Sequence, residues 1–270
     1  MFSVLMSVYA KERPEYLDTA LQSVLEQTSI PDEIVLMEDG ILTDGLYAVI
    51  KKYKAIFPGL RTYQSKYNLG LGKMLRKGVR LCSYELIARM DTDDIAVPQR
   101  FEWQLECMKR KREIAVCGGL IEEFNEEGTV CQMKKMPESN RQIFVYAKER
   151  NPVNHMTVMF RKQEVLKAGN YRDIPLLEDY DLWIRMLKNG AQFYNIQQVL
   201  VKTRVSDSTY HRRGGRKYCQ EYLKLRKRQK NFGLLSYREY IRSCMKTAAI
   251  TLAPDEVRKS VYIKVLRRDG

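Results

Sequence analysis

From Met1 to Asp94, short apolar runs alternate with helically spaced segments, and the connections between them are brief. The apolar runs are Val4–Tyr9, Glu33–Met37 and Leu86–Met90, and the more polar Arg61–Gln64 reads as a further strand between the last two. The first helical segment opens at Pro14 and carries Leu17, Ala20, Leu21, Val24 and Leu25 on one side. A second covers roughly 43–57 and is stopped by Pro58-Gly59. A third starts from the loop Asn68-Leu69-Gly70-Leu71-Gly72-Lys73 and runs to about Leu81. Parallel strands need a crossover between them, usually a helix, so this rhythm predicts an α/β fold with a mainly parallel sheet flanked by helices.

In such sheets, ligands sit beyond the carboxyl ends of the strands. Three polar clusters fall there: Tyr9-Ala10, Glu38-Asp39-Gly40 and Asp91-Thr92-Asp93-Asp94. They are distant in the chain and expected to converge in space, which points to a nucleotide-type site. The third cluster is the most demanding. Leu86-Ile87-Ala88-Arg89-Met90 reads as a buried strand and ends at three carboxylates within four positions. Crowded carboxylates repel one another unless a cation neutralises them, and a hard cation carrying a diphosphate takes oxygen ligands of this kind. An acidic turn after a strand is the plainer reading of the same residues.

Beyond Arg100 the pattern loosens. A helix is expected near 98–112, then a strand at Ile114–Ile121 with a Gly-Gly break and a hairpin return around Gly128-Thr129-Val130. A helix over Asn140–Arg150 and a loop-to-strand passage from Asn151 to Arg161 follow. Leu176-Leu177-Glu178-Asp179-Tyr180-Asp181-Leu182-Trp183 opens another helix, where acids favour the dipole. Gln192–Asn195 and Gln198–Arg204 read as two closing strands, and everything after His211 as helix.

Charge is placed unevenly. Residues 1–200 hold 28 Lys and Arg against 27 Asp and Glu, whereas residues 201–270 hold 19 against 6, a net +13. A basic tail implies an anionic partner, and Tyr218, Tyr222 and Leu225 would give its first helix an apolar side suited to a membrane surface. The six scattered cysteines include no Cys-x-x-Cys pair and there are two histidines, which argues against a zinc site and fits a reducing cytosol. No run approaches a membrane span, and the opening residues read as a strand rather than a signal peptide.

The strand Val4-Leu5-Met6-Ser7-Val8-Tyr9, Glu38-Asp39-Gly40, Asn-x-Gly-x-Gly at 68–72, Asp-Thr-Asp-Asp at 91–94, Asn-x-x-x-His at 151–155 and Leu-Glu-Asp-Tyr-Asp-Leu-Trp at 177–183 occur in that order. Together they resemble the family 2 inverting glycosyltransferases of the GT-A fold, especially bacterial enzymes of surface-polysaccharide assembly such as lipopolysaccharide or capsule. The resemblance covers about residues 3–205. It implies a GT-A domain over 1–205, with a nucleotide-binding half at about 1–97 and an acceptor half at about 98–205, followed by a basic helical extension over 206–270.

The resemblance also implies roles. Tyr9 and Asp39 would hold the base of a nucleotide-sugar, a UDP-sugar by preference, with Asn68 and Lys73 near base and phosphates. Asp91 would bind the ribose, Asp93 a Mn²⁺ or Mg²⁺ ion, and Asp94 would support the site or touch the donor sugar. Asp179 would be the catalytic base and Glu178 would orient it. His155 and Trp183 are candidate acceptor contacts. Relatives often carry a His shortly after the last strand; Arg204-Val205-Ser206-Asp207 occupies that region here, leaving His211 as the candidate contact to diphosphate or metal. The implied acceptor is a glycan, carried on a polyprenyl diphosphate at the inner face of the cytoplasmic membrane, with peripheral contact to anionic lipid and no nucleic acid.

Two other readings compete. A nucleotidyltransferase also pairs a parallel sheet with acidic metal ligands, but Ala10-Lys11-Glu12-Arg13-Pro14 lacks the glycine-rich loop it would need after the first strand. A nucleic-acid-binding protein would act through the basic run at 212–230.

Overall fold

The computed structural model describes residues 1–125, 127–205 and 214–258. Among these residues nine strands form one sheet in the order β3-β2-β1-β4-β8-β6-β9-β5, with β7 paired to β6. The alternating first part is β1 (Phe2–Tyr9), α1 (Pro14–Leu25), β2 (Glu33–Asp39), α2 (Asp44–Ile56), β3 (Leu60–Gln64), α3 (Leu71–Leu81) and β4 (Leu86–Arg89). Its four strands are parallel, as the alternation requires. Strand side chains alternate between faces. Phe2, Val4, Met6 and Val8 therefore join one core with Leu17, Leu21 and Val24 of α1 and Ile50 of α2. Leu5, Val35 and Met37 face the other side, against Met74, Leu75 and Val79 of α3.

The second part is β5 (Ile95–Ala96), α4 (Arg100–Arg110), β6 (Ile114–Phe124), β7 (Val130–Lys134), α5 (Asn140–Tyr146), a 3₁₀ turn at His155–Thr157, β8 (Met159–Arg161), α6 (Lys162–Lys167), α7 (Glu178–Lys188) and β9 (Gln192–Arg204). Here the sheet turns mixed: β8 runs antiparallel to β4 and β6, while β9 runs parallel to β6. The Gly118-Gly119 pair does not end β6. The strand runs on past it, with a register shift against β9 between Gly119 and Leu120. The two closing strands expected from sequence are one, because Ile196 and Val199 both keep partners on β6.

Two further helices, α8 (Gly215–Asn231) and α9 (Tyr237–Thr251), follow. Contrary to the sequence expectation, the apolar side of α8 faces the protein. Leu225 is buried with Ile174, Leu177, Tyr180 and Ile184, and Tyr218 and Tyr222 pack against that cluster. The Tyr180 and Tyr222 rings meet edge-on, 6.2 Å apart. Buried polar groups lock the same contact. The Arg226 guanidinium donates to the carbonyls of Lys148 (2.8 Å) and Glu149 (2.6 Å), and Gln229 Nε2 donates to the Ala147 carbonyl (2.9 Å). Asp181, almost wholly buried, accepts from Arg185 (2.8 Å) and from Arg228 of α8 (3.1 Å). An uncompensated buried charge costs several kcal/mol, so these pairs tie α8 to α7. No helix among the described residues is long and apolar enough to cross a membrane.

Candidate active site

The parallel strands end in a row. Tyr9 and Asp39 are register partners at the tips of β1 and β2, and Tyr9 is partly exposed there. The Asp39 carboxylate accepts the N–H groups of Leu69 (2.6 Å) and Gly70 (2.9 Å) and so holds the loop leading into α3. Gly40, with φ +91°, lets that loop approach; a Cβ there would lie 3.1 Å from the Asn68 nitrogen. Asn68 is exposed on the loop. Lys73, in the first turn of α3, pairs with Asp173 at 2.8 Å. Gly72 brings the start of α3 against α7: a Cβ there would strike the Arg172 carbonyl at 2.5 Å and lie 3.3 Å from Glu178 Cβ.

Asp91, Asp93 and Asp94 each offer an oxygen within 4.8 Å of the other two. Asp94 is buried; its Oδ1 accepts the Arg204 N–H at 3.1 Å, and its Oδ2 has no hydrogen-bond partner among the described residues. Burial first, then the charges of Asp91 and Glu12, push the Asp93 carboxyl up to about 7. Burial and both neighbouring aspartates raise Asp94 as well. Glu12 is held beside them by the Thr92 hydroxyl, which donates at 2.8 Å. The upward shifts mark a cluster that, fully ionised, would carry more negative charge than its surroundings neutralise, and the donors are all oxygen. That set fits a hard divalent cation such as Mg²⁺ or Mn²⁺.

A second acid cluster opens α7. Asp179 is 9 % exposed; its Oδ2 accepts from Asn151 Nδ2 at 2.5 Å and its Oδ1 from the Tyr180 N–H at 2.7 Å. Burial, then the Asp179 charge, push Glu178 up to about 7. Arg89 links the two clusters. It ends β4 with almost no exposure, ion-pairs with Asp91, and opposes the upward shifts of Asp93, Asp94 and Glu178. Asp91 in turn adds to the shift of Glu178. Asp39, Asp93 and Asp179 are thus linked through the 68–72 loop, Glu178 and Arg89.

The remaining candidates divide. The His155 ring lies 2.9 Å from the Tyr171 hydroxyl through Nε2, and burial followed by the Arg89 charge holds it well below its usual range, which favours the neutral ring. Trp183 does not reach an acceptor: it is 0 % exposed and packs edge-on against His155, Tyr171 and Phe193, because its helical position points into the core. His211 lies outside the described residues. Arg204, where a relative's His was expected, stacks its guanidinium 3.9 Å from the Tyr16 ring centre.

No sequence pattern gives Arg89, Glu12 or Asn151 the contacts they make here. An arginine inside a buried strand was a readable signal, since it demands a charged partner. Glu12 lies in an ordinary polar loop and carried no such signal.

Residues 3–167 match the family model described as glycosyl transferase family 2. The chain is 41% identical to the amylovoran biosynthesis glycosyltransferase AmsE of Erwinia amylovora over 83% of this chain and 84% of that protein. It is 37% identical to the UDP-Gal:alpha-D-GlcNAc-diphosphoundecaprenol beta-1,3-galactosyltransferase of Escherichia coli, over 99% of this chain and 97% of that one. In fold it is similar to TarS 1–349 of S. aureus in complex with UDP-GlcNAc (TM-score 0.70, 15% identity, 98% of this chain and 76% of that chain). It is also similar to the mannosyltransferase PcManGT of Pyrobaculum calidifontis in complex with GDP-Man and Mn²⁺ (TM-score 0.65, 11% identity, 99% and 81%). The architecture is the GT-A fold, and the nucleotidyltransferase alternative is set aside. On its sequence, the chain belongs to glycosyl transferase family 2 and is a glycosyltransferase.

Proposed function

We propose that the chain transfers a hexosyl group, with inversion and with the help of a divalent cation, from a UDP-sugar to a glycan acceptor carried on a lipid diphosphate, in the building of a bacterial surface polysaccharide. The observation that carries this reading is the joining of two acid clusters through Arg89, one with a carboxylate oxygen unpartnered among the described residues and one with both oxygens of Asp179 held. The names of the E. coli and E. amylovora relatives support the acceptor class and the process. The UDP-GlcNAc bound to TarS supports the donor class.

On this reading Tyr9 and the loop that Asp39 fastens receive the base, with Asn68 and Lys73 along the same rim. Asp91 takes the ribose and Asp94 supports the site or contacts the donor sugar. Asp93, with Asp94 beside it, would hold Mn²⁺ or Mg²⁺. Bound there with the diphosphate, such an ion supplies positive charge against the negative charge that grows on the leaving group. Asp179 takes the proton from the acceptor hydroxyl while that oxygen forms its bond to the anomeric carbon. The bond from that carbon to the diphosphate breaks, and the nucleoside diphosphate leaves with the electron pair. A single base acting opposite the leaving group gives inversion. The start of α7 favours an anion, and the hydrogen bonds from Asn151 and the Tyr180 N–H keep Asp179 in place. General base catalysis of this kind is worth roughly 10²–10⁴-fold. A lipid-carried acceptor places the protein at the inner face of the cytoplasmic membrane.

A thermal-shift panel of nucleotide-sugars with and without Mn²⁺ tests the donor. A ligand at a hundred times its Kd adds about 2.7 kcal/mol of stability. A UDP-sugar is expected to raise Tm, and more so with Mn²⁺. A panel in which no UDP-sugar shifts Tm would overturn the donor assignment.

A further inference from the structure

Helix α9 wears its amphipathic pattern inside out. Its inner face is made of Ser243, Thr247 and Thr251, all buried. Its larger apolar residues point outward: Tyr237 is 67 % exposed, Ile241 42 %, Met245 68 % and, one residue past the helix end, Leu252 54 %. At 3.6 residues per turn these four fall within an arc of about 80°. The next arc carries Arg238 and Arg242, both exposed, and Lys246, which pairs with Glu149 at 3.0 Å. The one acid of α9, Glu239, turns away from that surface to Lys148 at 2.8 Å. A helix that buries Ser and Thr and shows Tyr, Ile and Met beside a row of cations has the composition of one that lies in a lipid interface.

We propose that this face of α9, and not the apolar side of α8, docks the protein on an anionic bilayer, with Tyr237, Ile241, Met245 and Leu252 entering the interface and Arg238 and Arg242 meeting lipid phosphates. Charge complementarity selects lipid over a second copy of the chain: the region from residue 201 onward is net +13 and would repel itself across a symmetric contact. The face is also fixed relative to the site. Helices α8 and α9 grip the 147–149 segment through Arg226, Gln229, Glu239 and Lys246, and two residues further on Asn151 holds Asp179. The proposal deepens the lipid-linked acceptor reading and rests on it for its purpose.

The test uses the full chain and vesicles of equal parts phosphatidylglycerol and phosphatidylethanolamine, free of any saccharide lipid, against phosphatidylcholine vesicles. The wild type is expected to sediment with the anionic vesicles alone. The Ile241→Glu/Met245→Glu variant should lose at least about tenfold in partition. Arg238→Gln/Arg242→Gln should lose about fivefold for each cation removed at low salt. Lys51→Glu on α2 removes one cation and adds one anion elsewhere, and should keep its partition. Circular dichroism checks that the variants are folded. Retained wild-type partition in both α9 variants would overturn the proposal, as would a wild type that ignores anionic vesicles. It would also fall if the Glu variant turned a dimer into a monomer, by sedimentation velocity, with vesicle binding intact. Transfer to a short-chain, water-soluble saccharide diphosphate is measured on the same samples. Lost partition with transfer retained supports the docking face, whereas intact partition without transfer to any such acceptor would sink the acceptor reading and leave the face standing.

Discussion

The two acid clusters of the site are built in opposite ways. At the end of β4, Asp94 is buried and Asp93 half-buried among their own kind, with one oxygen of Asp94 unpartnered among the described residues and the Asp93 carboxyl pushed up to about 7. At the start of α7, Asp179 has both oxygens engaged by Asn151 and the Tyr180 N–H. The first arrangement is complete only when positive charge arrives from outside. The second is already positioned by the protein. On the proposed roles that division suits a transferase, because leaving-group charge appears during the reaction while the base must be in place before it.

The largest expected effect comes from the first cluster: Asp93→Ala should bring transfer to background at any Mn²⁺ concentration, and an active variant would break the comparison. Asp179→Asn should lower the turnover rate by roughly 10²–10⁴-fold, read at saturating donor. Arg89→Met removes the buried cation between the clusters and should cost about 3–5 kcal/mol of stability in denaturant titrations without metal. Added Mn²⁺ should stabilise this variant more than the wild type, since it restores charge beside Asp91. Asn151→Ala should reduce turnover by about tenfold to a hundredfold, the worth of one hydrogen bond to a charged group, with donor affinity unchanged.

The smallest effect is on pH. Glu178 is raised from its ordinary 4.5 to about 7, so the folded protein holds that proton more tightly than the unfolded chain does. The stability it contributes is full below about pH 4.5 and is lost as pH rises through about 7. Between those limits Glu178→Gln should show a shallower fall of Tm than the wild type in chelator-treated samples.

Much of the first half could be read from the chain because its information is local. Strand period, helix period and punctuation at Pro14, Pro58 and Gly59 all agree for β1 to β4, and the acids at the strand tips follow from the topology. The second half depends on distant partners. Ile95-Ala96 is too short to show a period and becomes β5 only by pairing with Val201 and Lys202. The polar Gln197-Gln198 pair made β9 look like two strands, although β6 holds both parts. Tyr218, Tyr222 and Leu225 show an apolar side in sequence, but periodicity gives no direction to that side, and α7 takes it. The outward stripe of α9 was hidden for the converse reason: which face of a helix is buried is settled by its neighbours.

The most direct test is calorimetric titration of a UDP-sugar, in the presence of Mn²⁺, into Asp93→Ala and Asp179→Asn. Asp93→Ala should lose donor affinity by at least about tenfold, the loss of one strong charge interaction, while Asp179→Asn binds as the wild type does and fails to transfer. Equal donor affinity in the two variants, or wild-type turnover in Asp179→Asn, would contradict the account.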